Sequence, residues 1–204
     1  MNKLNIQYVN KPTPVFTSVL EDHVEINKYL KEVILEHRQN NPESTKSNVK
    51  AWHSSWMTHQ ENPKFKPLGD MVVDACKFIA AGYYECDNID YHILNMWAMM
   101  YEENERAVRH SHFPSDFAAC YYVDVEPGGA PLLFESVVKD GINNNNQPLT
   151  IQPQNGMLVI WSALLHHEVP PTKGRRMAVS MNIEKGEGMV SFREKFELKP
   201  KNNV

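Results

Sequence analysis

Arg109-His110-Ser111-His112, then Leu165-His166-His167-Glu168-Val169, and then Arg176 are the residues of this chain whose types and spacing could do chemistry. Together they describe a metal centre with an anion-binding side chain beside it. In an extended strand, residues two apart project to the same face, so His110 and His112 can aim imidazole nitrogens at one point. A third imidazole from a distant strand would complete a facial set, and three protein ligands leave coordination positions open for substrate or water. His166 and His167 compete for that third place, because neighbours in a strand face opposite ways and only one can point inward. A His-Ser-His triplet is also an ordinary polar strand end, and nine histidines give some close pairs by chance. The surrounding elements must therefore decide.

Upstream of the triplet, Tyr91–Tyr101 reads as a strand rich in aromatic and apolar residues, followed by a polar loop over 102–106. Downstream, Phe117–Val125 is a second strand, stopped by Glu126-Pro127-Gly128-Gly129-Ala130-Pro131. The histidine pair thus sits between two strands. A short strand over 132–135 leads to a surface loop at Lys139-Asp140-Gly141-Ile142 and the four asparagines 143–146. Residues 151–156 form a tight turn, and the apolar strand 157–161 ends just before His166 and His167. In the last strand, 176–183, Met177, Val179, Met181 and Ile183 share one face while Arg176, Ala178, Ser180 and Asn182 share the other. Arg176 would then face the same interior as the metal. Earlier in the chain, helical spacing runs over 19–38 (Ile26, Leu30, Val33, Ile34) and over 68–84 (Met71, Val72, Ala75, Cys76, Ile79). The polar stretch 40–67 between them carries Trp52 and Trp56, placed to pack on the sheet or to line a substrate groove.

From Trp97 to Asn182 these residues resemble the iron(II)- and 2-oxoglutarate-dependent oxygenases, close to the prolyl-4-hydroxylase-like branch with its small bacterial and phage members. The resemblance rests on order and spacing. Tyr101 stands nine positions before His110, His110-Ser111-His112 falls at a His-x-acid position, and Tyr121-Tyr122-Val123 runs into the Pro127-Gly128-Gly129 turn. Pro153 and Gly156 bracket a turn before an apolar strand, and His167-Glu168-Val169 is followed by Arg176. The resemblance implies a mainly β fold with flanking α-helices, a double-stranded β-helix of the jelly-roll, cupin-like kind. In it, residues 91–198 would form the core and residues 1–90 a largely helical buttress, one domain over 1–204.

In that family one Fe(II) is held by His, Asp or Glu, and His. The resemblance makes His110 the first ligand and His167 the last. His112 stands where the carboxylate is expected, which leaves the site one formal negative charge short. Asp116 is the alternative oxygen ligand, unless it caps the turn after Pro114. Arg176 corresponds to the clamp for the far carboxylate of 2-oxoglutarate, a role suited to a planar guanidinium that would be costly to bury without an anion. It could equally be a surface member of the basic run 173–176. Relatives often carry a serine two residues after this arginine; here that position is Ala178, and Ser180 is the candidate to supply the hydroxyl. Tyr101 and Tyr122 would hydrogen-bond the cosubstrate or serve as core aromatics. Trp97 and Trp161 are assigned to packing, and Arg106 and Arg109 to solvated loops or an anionic substrate.

The implied function is that of an Fe(II)- and 2-oxoglutarate-dependent dioxygenase using O2. It would hydroxylate a small-molecule or peptide substrate as 2-oxoglutarate is decarboxylated to succinate. Two rivals come from other classes: a cupin-like three-histidine metalloprotein acting without 2-oxoglutarate, and a non-enzymatic β-barrel binding module. At 204 residues and 42% apolar composition the chain can bury a sizeable core. A net charge of -4 without a long basic run does not indicate nucleic acid, and neither a signal peptide nor a membrane-spanning stretch is expected. Cys76, Cys86 and Cys120 have neither disulfide parity nor metal spacing, which suits a reducing cytoplasm. A homodimer is left open. Residues 199–204 are expected to be a mobile tail.

Overall fold

A computed structural model describes residues 13–42, 49–135 and 148–186. The expected asparagine-rich loop and the C-terminal tail lie outside these residues. Two antiparallel sheets and two long helices account for most of the rest.

The strands expected from apolar composition, turn boundaries and, in the last, alternation form as expected: β4 (Tyr91–Tyr101), β6 (Phe117–Val125), β9 (Met157–Ser162) and β11 (Arg176–Lys185). With β1 (Val15–Val19) and β3 (Trp52–His53) they make a six-stranded major sheet in the order β1-β9-β6-β11-β4-β3. The minor sheet, β2-β5-β10-β7-β8, is built from short pieces. These are β2 (Val49–Lys50), β5 (Arg106–His110), β7 (Leu132–Phe134), β8 (Leu149–Ile151) and β10 (His167–Val169). This is the double-stranded β-helix.

Each of the four long major-sheet strands, β4, β6, β9 and β11, is largely apolar on both faces and serves two cores. Met96, Ala98 and Met100 of β4, Ala119 and Tyr121 of β6, and Met177, Val179 and Met181 of β11 point outward. They meet Leu30, Val33 and Ile34 of α1 (His23–Asn40) and Leu68, Val72 and Cys76 of α3 (Lys66–Tyr84). The alternate residues, among them Trp97, Tyr101, Cys120, Tyr122, Trp161 and Ala178, point inward and meet Val49, Ala107, Leu132, Phe134 and Val169 of the minor sheet. Between α1 and α3 the chain also makes the four-residue helix α2 (Thr58–Glu61).

The first 90 residues are not only a helical buttress, because β1 and β3 extend the major sheet and β2 the minor one. Residue 19, read as the start of a helix, ends β1, and the helix begins four residues later at His23. Val15–Val19 pairs with Met157–Trp161 across the sheet edge, so backbone hydrogen bonding there overrides the helical spacing. Among the described residues no helix is long and apolar enough to cross a membrane.

Candidate metal and cosubstrate site

The three histidines meet at the mouth between the sheets. His110 ends β5 and is the direct cross-strand partner of His167 on β10, which brings their rings to 4.4 Å between centroids. His112 lies just beyond the strand. The loop carrying it is held by hydrogen bonds from His112 N–H to the Ala163 carbonyl (2.9 Å) and from Ala163 N–H to the Asp116 carbonyl (3.1 Å). The strand expected to run through His112 therefore stops two residues early, yet the side chain still reaches the cluster. One ligand atom from each of the three residues lies within 4.8 Å of the others, so the group could hold a metal ion.

Their second nitrogens fix the tautomers. His110 Nδ1 is 2.7 Å from the Val108 carbonyl and His167 Nδ1 is 3.1 Å from the Leu165 carbonyl, so each Nδ1 carries the donated proton and each Nε2 keeps its lone pair. The Nε2 atoms of His112 and His167 are 3.2 Å apart. Two nitrogens bound at right angles to one metal at about 2.1 Å would lie about 3.0 Å apart, so this is the spacing a shared ion would set. Burial is the first cause of lowered basicity in all three, and the crowding of one imidazole by another adds to it. His112 is pushed down to about 3, against the hydrogen bond with Asn182 that favours its protonated form. Neutral imidazoles are the form that can ligate.

Beneath the histidines is a cavity of about 190 Å³. Its floor is Arg176, with 1% of its surface exposed. The guanidinium donates from Nη2 to the Tyr122 hydroxyl (3.0 Å) and from Nη1 to the Ala130 carbonyl (3.3 Å), and it lies over the rings of Tyr101 and Tyr122. Its Nε has no hydrogen-bond partner, and no carboxylate pairs with it among the described residues. The neighbouring Arg175, on the opposite face, pairs with Asp124 and Glu126. A permanently charged, buried guanidinium with an open donor has the chemistry to pair with an anion.

The remaining predicted residues divide. Ser180 and Tyr101 line the cavity, whereas Tyr122 sits behind Arg176 and holds it. Tyr101 donates to the Met99 sulfur, and burial pushes its hydroxyl up to about 12. Asp116 is not brought into the cluster: its Oδ2 accepts the Lys185 backbone N–H at 2.9 Å, and its other oxygen is 3.6 Å from the Lys185 ammonium. His166 is exposed, so the inward place belongs to His167. Arg109 is tied to Glu135 and Arg106 is exposed. Trp97 and Trp161 do more than pack, since both line the cavity and Trp161 meets the His167 ring edge-on at 5.0 Å.

Sequence reasoning passed over Cys120 and His53 as wall residues. Alternation along β6 sets Ala118, Cys120 and Tyr122 on the inner face, with Cys120 directly across from Ser180. His53, by contrast, comes from a two-residue strand with no readable period.

Residues 95–183 match the family described as "Putative 2OG-Fe(II) oxygenase". The match spans most of the two-sheet core and less than half of the chain. The family is one of oxidoreductases that use iron(II), 2-oxoglutarate and O2, and the three histidines here could hold such a metal ion. No curated protein matches the chain. Among solved structures it is similar to a Pseudomonas putida prolyl-4-hydroxylase, at 14% identity over 85% of this chain and 94% of that one, with a TM-score of 0.61. A Trichoplax adhaerens prolyl hydroxylase, solved with a hypoxia inducible factor peptide fragment, aligns at 15% identity over 82% of this chain and 83% of its own length, with a TM-score of 0.60. A non-heme alpha ketoglutarate dependent carbocyclase from nogalamycin biosynthesis gives a TM-score of 0.63 at 10% identity, covering 84% and 79% of the two chains. Identities this low speak for the fold.

Proposed function

We propose that this oxygenase hydroxylates an organic substrate, a small molecule or a peptide, while 2-oxoglutarate is decarboxylated to succinate, and that it does so in a cytoplasmic setting. His110, His112 and His167 hold the iron through Nε2, and Arg176 binds the far carboxylate of 2-oxoglutarate. The observation that carries the reading is Arg176: a buried, unpaired guanidinium on the floor of the cavity whose mouth the histidines form. A cupin-like metalloprotein without a cosubstrate has no use for it.

Iron and 2-oxoglutarate supply the oxidising chemistry when bound. The protein's part is positional. The Val108 and Leu165 carbonyls orient two of the imidazoles, and the Tyr122 hydroxyl and the Ala130 carbonyl orient the guanidinium. Ser180, across from Cys120, offers the hydroxyl that Ala178 lacks. Trp161, Leu132 and Val169 keep water off the reacting centre, and Trp56 and the exposed Phe113 border the side from which substrate enters.

The test is an anaerobic titration with Fe(II) and then 2-oxoglutarate, following the visible charge-transfer absorption of the iron–2-oxoglutarate chelate. The absorption is expected in the wild type, lost in His167→Ala and Arg176→Met, and retained in Asp116→Asn. Iron binding without that absorption at saturating 2-oxoglutarate would overturn the proposal in favour of a cosubstrate-free metalloprotein. Loss in Asp116→Asn with retention in His112→Ala would move the second ligand to Asp116.

A further inference from the structure

The wall of the cavity carries one arginine and four histidines but, among the described residues, no aspartate or glutamate. Asp116 is engaged with Lys185 and Glu135 with Arg109, while Glu168, between the lining residues His167 and Val169 of β10, is on the opposite face of that strand. A divalent ion held by three neutral imidazoles beside Arg176 puts three positive charges into a space of about 190 Å³, on walls that include Trp97, Trp161 and Leu132. Charge of one sign in such a dry space is strongly unfavourable.

Resting on the oxygenase reading above, we propose that the cosubstrate completes the charge of this site: the three-histidine centre binds its metal tightly only together with a dianionic 2-oxo acid. In a site with a carboxylate ligand, the protein itself offsets half of the metal's charge before any cosubstrate arrives. Here His112 offsets none. The dianion brings one carboxylate to the metal and one to Arg176, so each of the two positive centres gains its counter-charge in the same event. By linkage, the factor by which the dianion tightens metal binding equals the factor by which metal tightens dianion binding. The apo-protein should therefore move between an empty state and a doubly loaded one, with little of the metal-only form at low metal concentration.

Chelation alone would also couple the two ligands, so the charge contribution must be separated from it. Co(II), stable to oxygen under the conditions used, is titrated with and without saturating 2-oxoglutarate, by calorimetry and by quenching of the tryptophan fluorescence contributed by Trp97 and Trp161. The wild type is compared with His112→Asp and with His112→Glu, a second variant in case the first fails to fold. Chelation is common to all three proteins and cancels in the comparison.

The expected result is that 2-oxoglutarate tightens Co(II) binding on the order of a hundredfold in the wild type and at least about tenfold less in an acidic variant. That variant should also bind Co(II) alone more tightly than the wild type does. In the wild type itself, saturating 2-oxobutyrate, which chelates but lacks the second carboxylate, should tighten Co(II) at least about tenfold less than 2-oxoglutarate, a comparison that needs no variant to fold. Equal coupling with both 2-oxo acids, or in wild type and acidic variants alike, overturns the charge proposal and leaves the oxygenase reading intact. Failure of 2-oxoglutarate to bind the Co(II)-loaded wild type at all overturns both.

Discussion

Arg176 keeps a full positive charge where its neighbour Arg175, just before the strand, has two carboxylates. If the charge is kept for an anion, binding and stability must respond in opposite directions to its removal. Replacing Arg176 by Met deletes a buried charge of comparable length and leaves an apolar chain in an apolar wall. Loss of one member of a buried ion pair costs about 3–5 kcal/mol, so 2-oxoglutarate affinity should fall at least a hundredfold. The apo-protein has no pair to lose. Its stability should stay within about 1 kcal/mol of the wild type or rise, because the freed Tyr122 hydroxyl and Ala130 carbonyl are the hydrogen-bonding costs to set against the removed charge. Calorimetric titration and thermal unfolding of the same variant check both halves. A large fall in melting temperature would make Arg176 a structural residue. The inward direction of Arg176 could be read from alternation with Ser180 and Asn182. The fate of Asp116 could not, since its partner Lys185 is 69 residues away in the chain.

The strands that carry the site fall into two kinds, and they were not equally legible. Strands β4, β6, β9 and β11 are six to eleven residues long, enough for an apolar run to show and, in β11, an alternation. Strands β2, β3, β8 and β10 are two or three residues long and carry no period. That is why β10, which presents His167, was found through its histidine, and why β8, which overlaps the turn expected over 151–156 only at Ile151, was not read as a strand. The register of β11 depends on a crossing of two turns just before it. Gly174 N–H donates to the Gly128 carbonyl at 3.1 Å, and Glu126 N–H donates to the Arg175 carbonyl at 2.9 Å. A β-carbon on Gly174 would stand 2.3 Å from the Pro127 carbonyl oxygen and 3.1 Å from Gly129 N, both of them backbone atoms. Gly174→Ala must therefore push the turns apart, at about 1–3 kcal/mol of stability. Because Arg176 lies two residues on, 2-oxoglutarate binding should weaken in that variant while metal binding in the absence of cosubstrate changes little. Equal losses of both would mean the turn supports the fold at large and not the arginine in particular.

The molecule as a whole places the major sheet between two cores, so helices and site share one wall. We read this as a single cooperative domain, and alkaline pH offers a way to test it. Cys76 belongs to the helix–sheet core, and burial pushes its thiol from an ordinary 9.0 up to about 12. Tyr121, whose hydroxyl donates to Asn27 of α1 at 2.7 Å, is likewise pushed up to about 12, and on the cavity side so is Tyr101. With folded values above unfolded ones, the stability linked to these groups is fully present below about pH 9. It is lost as pH rises toward 12, because the unfolded chain gives up protons that the folded chain retains. Each group contributes a slope of at most about 1.4 kcal/mol per pH unit. Cys76→Ala should start less stable near pH 8 and then decline less steeply between pH 9 and 12. The groups lie on both sides of the shared sheet, so far-ultraviolet dichroism, which reports the helices, and tryptophan fluorescence, which reports the cavity wall, should move through one transition at every pH. Separation of the two signals would show that the helical layer unfolds on its own, and that the site does not depend on it.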